Sequence, residues 1–133
     1  MKPSSESPFK SAGGFHRLSG ALRYSWQGLC AAWQHEAAFR QELLLLALLA
    51  PLALWLSASP AELLLLLGSF VFVLVVELMN SALEAVADAV TLERHPLIGR
   101  AKDLASAAVF LSLALASCIW LVTLGPRLWA LVF

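Results

Sequence analysis

The stretch from Leu63 to Asp88 reads LLLLLGSFVFVLVVELMNSALEAVAD. Its first fourteen residues, 63–76, contain no charged side chain, whereas its last twelve contain three carboxylates and an asparagine. A helix rises about 1.5 Å per residue, so this stretch is long enough to cross the roughly 30 Å of hydrocarbon in a bilayer. The sequence therefore predicts a transmembrane helix whose polar groups are gathered toward one end.

The rest of the chain is similarly apolar. Of its 133 residues, 60% are hydrophobic and 14% are charged, and the mean hydropathy is +0.79. This composition is unusual for a soluble domain and predicts a membrane protein. Three spans are expected, at about 37–56, 61–89 and 104–124. Since lipid satisfies no backbone hydrogen bond, each span should be helical, and the predicted fold class is all-α and polytopic.

The N-terminal part differs from the spans. Residues 1–14 are rich in Ser, Pro and Gly and lack periodicity, which is typical of a flexible tail. Over residues 15–35, large apolar side chains recur every three or four positions, with Arg17, Arg23 and Gln27 between them. This pattern favours an amphipathic helix at the membrane surface, and residues 15–133 are expected to form a single membrane domain.

The basic residues predict an orientation. Eight of the nine Lys and Arg residues precede or open the first span or lie between the second and third spans. They are Lys2, Lys10, Arg17, Arg23, Arg40, Arg94, Arg100 and Lys102. Only Arg127 lies opposite, so the positive-inside rule places the N-terminus and the 90–103 loop in the cytoplasm.

Five polar residues share one face of the second span. They are Glu77, Asn80, Ser81, Glu84 and Asp88. At 100° per residue they lie within about 60° of Glu77. Carboxylates inside a membrane are costly unless they face a protein cleft, so the stripe indicates function. Alternatively, Asn80 and Ser81 only bond neighbouring helices and Asp88 lies in interfacial water.

Carboxylates on one face favour a hard divalent cation. Mg²⁺ is commonly shared between one or two carboxylates and substrate phosphates. Glu36, at the start of the first span, could add a ligand, or could instead pair with Arg40 or be solvated.

The loop ERHPLIGRAKD, 93–103, holds Arg94, His95, Arg100 and Lys102, which suit a polyanion such as a nucleoside triphosphate. Neither GxxxxGK[ST] nor GxGxxG occurs, which excludes a P-loop or a protein-kinase mechanism.

Small residues recur every four positions in the second and third spans. These rows are Ser81, Ala85 and Ala89, and Ala108, Ser112 and Ala116. They allow close helix approach, and three spans alone hardly enclose a polar cleft, so a homo-oligomer is expected.

A different class, an oligomeric membrane protein that conducts or exchanges cations along Glu77, Glu84 and Asp88, also fits the stripe.

Four blocks in order resemble the prokaryotic diacylglycerol kinases, a family of small integral membrane enzymes. They are YSWQGL at 24–29, AAWQHEAAFRQE at 31–42, ELMNSALEAVAD at 77–88 and GRAKDLASAAV at 99–109. The resemblance covers about residues 16–122. It implies a homotrimer of three-span subunits in the bacterial inner membrane, each with an N-terminal surface helix. It also implies ATP-dependent phosphorylation of diacylglycerol to phosphatidic acid with Mg²⁺, with each active site shared between subunits.

The resemblance also implies residue roles. Glu77 would be the general base for the lipid hydroxyl, and Glu36 and Glu84 would hold the metal against the nucleotide phosphates. Asn80, Lys102 and Asp103 would organise the phosphates and the catalytic carboxylate. Other matching positions are Arg17, Tyr24, Asp88 and His95 in the nucleotide pocket, and Arg40, Glu42, Gly99 and Ser106 elsewhere in the site region.

The sequence departs from the family pattern in three places. The tail before Phe15 has no clear counterpart, Arg94 stands where an aromatic residue is common, and Ala87 replaces a frequent Val. The related undecaprenol kinases share the scaffold and the acids, so they are the alternative within the same class. The blocks at 31–42 and 95–103 look more like the diacylglycerol branch.

Overall fold

The computed structural model describes residues 14–91, 93 and 95–132, with side chains from residue 17 onward. It contains four helices: α1 (Gly14–His35), α2 (Ala37–Leu56), α3 (Pro60–Val90) and α4 (Pro96–Val132). Three of them, α2, α3 and α4, are long and apolar enough to cross a membrane. The predicted fold class, an all-α membrane protein with three spans, is confirmed.

Helix α1 ends at His35 and belongs to a separate compact unit from the rest of the chain, which starts at Glu36. Its large apolar side chains are exposed, including Leu22 and Trp26. The break between α1 and α2 is at Glu36, whose backbone is extended at φ −105° and ψ 111°. The Glu36 side chain makes no capping hydrogen bond to α2, so its carboxylate is not used to cap the helix.

The connection from α2 to α3 is a short turn with a well-formed helix start. The Ser59 hydroxyl accepts a hydrogen bond from the Glu62 amide at 3.2 Å, and Pro60 occupies the first helical position. The Glu62 carboxylate in turn accepts from the Ala58 amide at 2.6 Å. Both features are favourable at a helix N-terminus, because they satisfy amides that have no partner within the helix.

Helix α3 is the central element of the second unit, because it packs against both α2 and α4. The core contains Ala53, Leu66 and Leu124, which are at most 1% exposed. Within the leucine run at 63–67, Leu66 is therefore buried in the protein, whereas Leu64 is 74% exposed. The runs contain both kinds of position, since successive residues of a helix point in different directions.

Two polar contacts join the helices at the end opposite the acidic stripe. The Trp120 indole donates to the Leu66 carbonyl at 3.1 Å and to the Ser69 hydroxyl at 3.2 Å. The Arg127 guanidinium donates to the Leu56 carbonyl at 2.8 Å and lies 2.7 Å from the Glu62 carboxylate. Arg127 thus ties the end of α2 and the start of α3 to α4.

Helix α4 is longer than the predicted span at both ends. It starts at Pro96 rather than near 104, and it continues through Gly125 and Pro126 to Val132. The predicted 90–103 loop therefore shrinks to the segment between Val90 and Pro96. Proline is favourable in the first helical turn, and the His95 imidazole accepts from the Leu97 amide at 3.3 Å, so this start is well capped.

The small residues are divided between buried and exposed positions. Ser112 and Ala116 of α4 are buried within the chain. Ala85 and Ala89 of α3 and Ala108 of α4 are exposed. Part of the small-residue pattern therefore serves packing within one chain.

Candidate functional site

Four carboxylates from two helices form the centre of the candidate site. This acid cluster consists of Glu36 at the break before α2, Glu42 in α2, and Glu77 and Glu84 in α3. Glu77 is 4% exposed and Glu42 is 8% exposed. Glu77 interacts electrostatically with Glu84 and Glu36, and Glu42 interacts with Glu77. Burying like charges together is unfavourable, which indicates that the cluster serves a positively charged or proton-donating ligand.

Helix geometry explains how these side chains meet. Glu77 and Glu84 are seven residues apart, which is about two turns, so they lie on one face of α3. Helix α3 also packs against α2, and Glu42 near the start of α2 interacts electrostatically with Glu77. The predicted stripe is thus directed partly into the protein at Glu77, while Asp88 at its end is exposed.

Several polar atoms in this region are buried without a hydrogen-bond partner among the described residues. They are Glu42 Oε2, Asn80 Oδ1 and Ser81 Oγ. The Asn80 amide nitrogen does have a partner, since it donates to Glu84 Oε1 at 3.1 Å. Buried polar groups normally find partners, so these atoms are candidates to contact a ligand, a water or another copy of the chain.

A pocket with a volume of about 470 Å³ lies beyond the acid cluster, between the end of α3 and the start of α4. Its lining includes three predicted nucleotide contacts, Asp88, His95 and Lys102, and also Gly99. Lys102 Nζ lies 2.6 Å from Asp88 Oδ1. Lys102 also interacts electrostatically with Glu84, which links this pocket to the acid cluster. The structure therefore brings the phosphate-binding candidates close to the carboxylates.

The carboxylates of the acid cluster could bind a divalent cation only together with other ligands. Within the described ranges, no group of three or more His, Cys, Asp or Glu side chains is arranged to hold a metal ion alone. Mg²⁺ usually binds one or two protein carboxylates together with waters and substrate phosphates. Glu36 and Glu84 both interact with Glu77, and neither is fully buried. These two carboxylates therefore fit a cation whose coordination is completed by phosphate oxygens.

The other predicted site residues are more dispersed. On α4, Asp103 and Ser106 are exposed, and no hydrogen bond within the described part of the chain joins them to the acid cluster. Arg40 is half-buried on the first turn of α2. On α1, Arg17 and Tyr24 are exposed, and the Arg23 guanidinium lies 5.1 Å from the centre of the Tyr24 ring. Arg94 lies outside the described residues.

Two pocket residues were missed from the sequence. Thr91 and Glu93 line the pocket, and the Thr91 hydroxyl accepts from the Glu93 amide at 3.0 Å. The interpretation of 93–103 as one basic loop considered its cations and not Glu93, and Thr91 lies outside that range. The only sequence signal for their place in the pocket was that they lie between two predicted helices. Thr91 follows the last residue of α3, and Glu93 lies between Thr91 and the start of α4.

Comparison of the sequence with those of known proteins relates the chain to diacylglycerol kinases. A sequence model of the family described as prokaryotic diacylglycerol kinase matches residues 23–124. The chain is 46% identical to the diacylglycerol kinase of Escherichia coli strain K12 over 111 residues, which is 84% of this chain and 91% of that one. It is 47% identical over 116 residues to the Pseudomonas aeruginosa PAO1 diacylglycerol kinase, covering 87% and 94% of the two chains. For the Helicobacter pylori 26695 diacylglycerol kinase, identity is 46% over 110 residues, or 82% and 85%.

Proposed function

The chain belongs to the prokaryotic diacylglycerol kinase family, and from that premise we propose that it transfers the γ-phosphoryl group of ATP to diacylglycerol. The products are phosphatidic acid and ADP. The observation that carries the proposal is the position of Glu77, which is 4% exposed and interacts electrostatically with Glu36, Glu42 and Glu84, the last of which also interacts with Lys102. A carboxylate base, with a pocket that contains Lys102 beside it, suits a lipid alcohol and a nucleotide.

Glu77 acts as the general base in this proposal. Its carboxylate accepts the proton of the primary hydroxyl while the hydroxyl oxygen forms a bond to the γ-phosphorus. The bond between the γ-phosphorus and the bridging oxygen breaks, and ADP leaves with that oxygen. Phosphoryl transfer needs positioning and charge stabilisation above all, and a positioned base typically contributes about 10²–10⁴-fold.

Asn80 positions the carboxylates. It holds Glu84 through its amide nitrogen at 3.1 Å, while its carbonyl oxygen stays free within the described part of the chain. Glu36 and Glu84 are the residues that would hold Mg²⁺, which when bound neutralises phosphate charge and orients the transferred group.

Lys102 binds the nucleotide phosphates. Its ammonium group contacts Asp88 in the structure, and both side chains are substantially exposed, so the pair is weak and exchangeable. His95 and Gly99 line the same pocket. A further set of residues belongs to the proposed site on the family resemblance alone. They are Arg17, Tyr24, Arg40, Glu42, Asp103 and Ser106.

The assembly and orientation are parts of the same proposal. We place the chain in the bacterial inner membrane as a homotrimer, with the N-terminus and the segment between α3 and α4 in the cytoplasm. Support comes from the distribution of Lys and Arg, which fall on one side with the exception of Arg127. Further support comes from the exposed small residues of α3, which allow close approach of another helix.

The test uses the purified full chain in mixed micelles with ATP labelled at the γ-phosphate. Diacylglycerol is offered in one reaction and undecaprenol in another. We expect labelled phosphatidic acid in the first and at most a trace of labelled product in the second. Preferential labelling of undecaprenol would assign the chain to the other branch. The absence of any labelled lipid, together with cation flux in liposomes, would favour the cation-conducting class instead.

A further inference from the structure

A second cavity, deeper in the predicted membrane region, has the position and chemistry of a binding site for a hydrocarbon chain. It has a volume of about 310 Å³ and is lined by residues of all three spans. Its walls include Leu45 and Leu49 from α2 and Leu113 from α4, and Phe70 of α3 forms part of its lining. We call this cavity the apolar groove.

The chemistry of the groove favours an apolar occupant. Its two polar side chains are Ser117 and Trp120. The indole nitrogen of Trp120 is already engaged, since it donates to the Leu66 carbonyl and the Ser69 hydroxyl. The ring of Trp120 also packs edge-on against Phe70, with centroids 5.3 Å apart. Trp120 is therefore a fixed wall, and it offers no free donor to a polar ligand.

The groove lies in line with the acid cluster on two helices. On α2, Glu42, Leu45 and Leu49 are spaced by three and four residues, so they share one face. On α3, Phe70 and Glu77 are seven residues apart and share a face as well. Leu49 and Phe70 each lie roughly 10 Å along the helix axis from the carboxylate on their own helix.

We propose that the apolar groove binds an acyl chain of the lipid substrate and limits its length at Trp120. The proposal rests on the proposed function, because it takes the substrate hydroxyl to be at Glu77. A lipid with its hydroxyl there must direct its chains away from the carboxylates and deeper into the membrane. On α2, the groove residues Leu45 and Leu49 continue the face of Glu42 in that direction.

The dimensions of the groove favour a hydrocarbon chain over a helix of a second copy. A helix with its side chains is about 10 Å across. The groove has a volume of about 310 Å³, and its lining on α4 runs from Leu113 to Leu121, which is roughly 12 Å along the axis, so its cross-section is a fraction of that of a helix. A single flexible chain is a better fit to a narrow apolar space between α2 and α4.

The experiment narrows the groove and compares substrates of different chain length. Leu49→Trp puts a large side chain into the groove, whereas the control Leu48→Trp puts it on a neighbouring position that is 73% exposed. The kcat/KM values for dioctanoylglycerol and dioleoylglycerol are measured in the same micelles. We expect Leu49→Trp to lower the long-chain to short-chain ratio about tenfold, since overpacking of a filled site is strongly unfavourable. Leu48→Trp should leave the ratio within about twofold of the parent value.

A second measurement does not depend on turnover. A diacylglycerol with a diazirine midway along one chain is photoactivated in nanodiscs, and labelled peptides are mapped. We expect labelling of the segments that contain Leu49 and Trp120, and its loss in Leu49→Trp. This result would stand even if the parent chain phosphorylated no lipid, so the failures of the two proposals are distinguishable.

Three results would overturn the groove proposal. The first is an unchanged chain-length ratio in Leu49→Trp. The second is label distributed evenly over lipid-facing positions such as Leu48. The third is an equal loss on both substrates together with a changed oligomeric state, which would assign the groove to contact with a second copy of the chain.

Discussion

At the scale of single residues, the main feature is the burial of two carboxylates, Glu42 and Glu77, that interact electrostatically. Both are less than a tenth exposed, and they interact across the α2–α3 contact. Ionisable side chains within a membrane cost several kcal/mol unless they are compensated. Such a pair persists where a proton, a cation or a polar substrate provides the compensation. The same reasoning applies to Glu84, which is held by Asn80 at the edge of the cluster.

The proposed role of Glu84 leads to a test of metal dependence. In Glu84→Gln, one carboxylate ligand is lost while the side-chain volume is kept. We expect the Mg²⁺ concentration for half-maximal activity to rise roughly tenfold, with a higher KM for ATP, because a divalent cation prefers charged oxygen ligands. The measurement is a Mg²⁺ titration of kinase activity at fixed ATP.

Glu62→Gln is the matched control for that titration. Glu62 is on the same helix, but it contacts Arg127 and the Ala58 amide at the far end. Its substitution should leave the Mg²⁺ dependence unchanged. The ligand assignment of Glu84 is wrong if Glu84→Gln and Glu62→Gln give the same Mg²⁺ curve.

At the scale of elements, the long helix α4 and its contacts at the end opposite the acids set the packing of the three spans. The Arg127 guanidinium donates to the Leu56 carbonyl in the last turn of α2 and pairs with the Glu62 carboxylate in the first turn of α3. The Leu56 carbonyl is at a helix C-terminus, where carbonyls have no partner within the helix. Arg127 therefore satisfies a carbonyl and a carboxylate together.

Removal of this contact should destabilise the chain. In Arg127→Met, Glu62 and the Leu56 carbonyl lose a charged partner, and we expect a loss of about 1–3 kcal/mol in the free energy of unfolding. Arg127→Lys should lose less, since it keeps the charge. Denaturation by titration with a denaturing detergent provides the measurement.

The control for Arg127 is Arg100→Met, which removes an exposed basic residue near the other end of α4. We expect the free energy of unfolding of Arg100→Met to stay within about 0.5 kcal/mol of the parent value. Equal stability of Arg127→Met and the parent protein would show that the contact contributes nothing.

The elements also show what sequence patterns can predict here. The apolar runs predict the three spans, because a helix in lipid requires a continuous apolar segment. Helix α4 runs from Pro96 to Val132 and so is longer than the predicted span at 104–124, because hydropathy indicates the most apolar part of a helix rather than its ends. The Glu62–Arg127 pair was missed since nothing local in the sequence joins two residues on different helices.

The candidate site was predictable to a similar extent. Glu77, Asn80 and Glu84 follow from helical periodicity within one segment. The interaction of Glu42 with Glu77 depends on how α2 packs on α3, and the position of Thr91 in the pocket lining depends on a turn, so neither could be derived from spacing along the chain.

At the scale of the whole molecule, the two ends of the spans differ in chemistry. One end carries the acid cluster and the pocket around Lys102, and the other carries Trp120 and the Arg127 contact. Such polarity is expected of an enzyme that takes a nucleotide from one side of a membrane and a lipid from within it. It also makes the orientation of the chain in the membrane essential to the proposed function.

Cysteine labelling in intact cells tests this orientation. Cys30 and Cys118 are first replaced by Ala, and a single cysteine is introduced at Ser59 or at Glu93, both of which are exposed. A membrane-impermeant maleimide should label Ser59→Cys in intact cells and Glu93→Cys only after the cells are opened, because the basic residues favour the cytoplasm. The reverse pattern would contradict the proposed orientation.

The central claim, that Glu77 takes the proton from the lipid hydroxyl, is tested most directly by the turnover of Glu77→Gln at saturating ATP, Mg²⁺ and diacylglycerol. The amide keeps the size of the side chain but cannot act as the base. We expect kcat to fall by about 10²–10⁴-fold, with the oligomeric state and nucleotide binding retained. A Glu77→Gln variant that keeps a kcat within a few-fold of the parent value would contradict the claim.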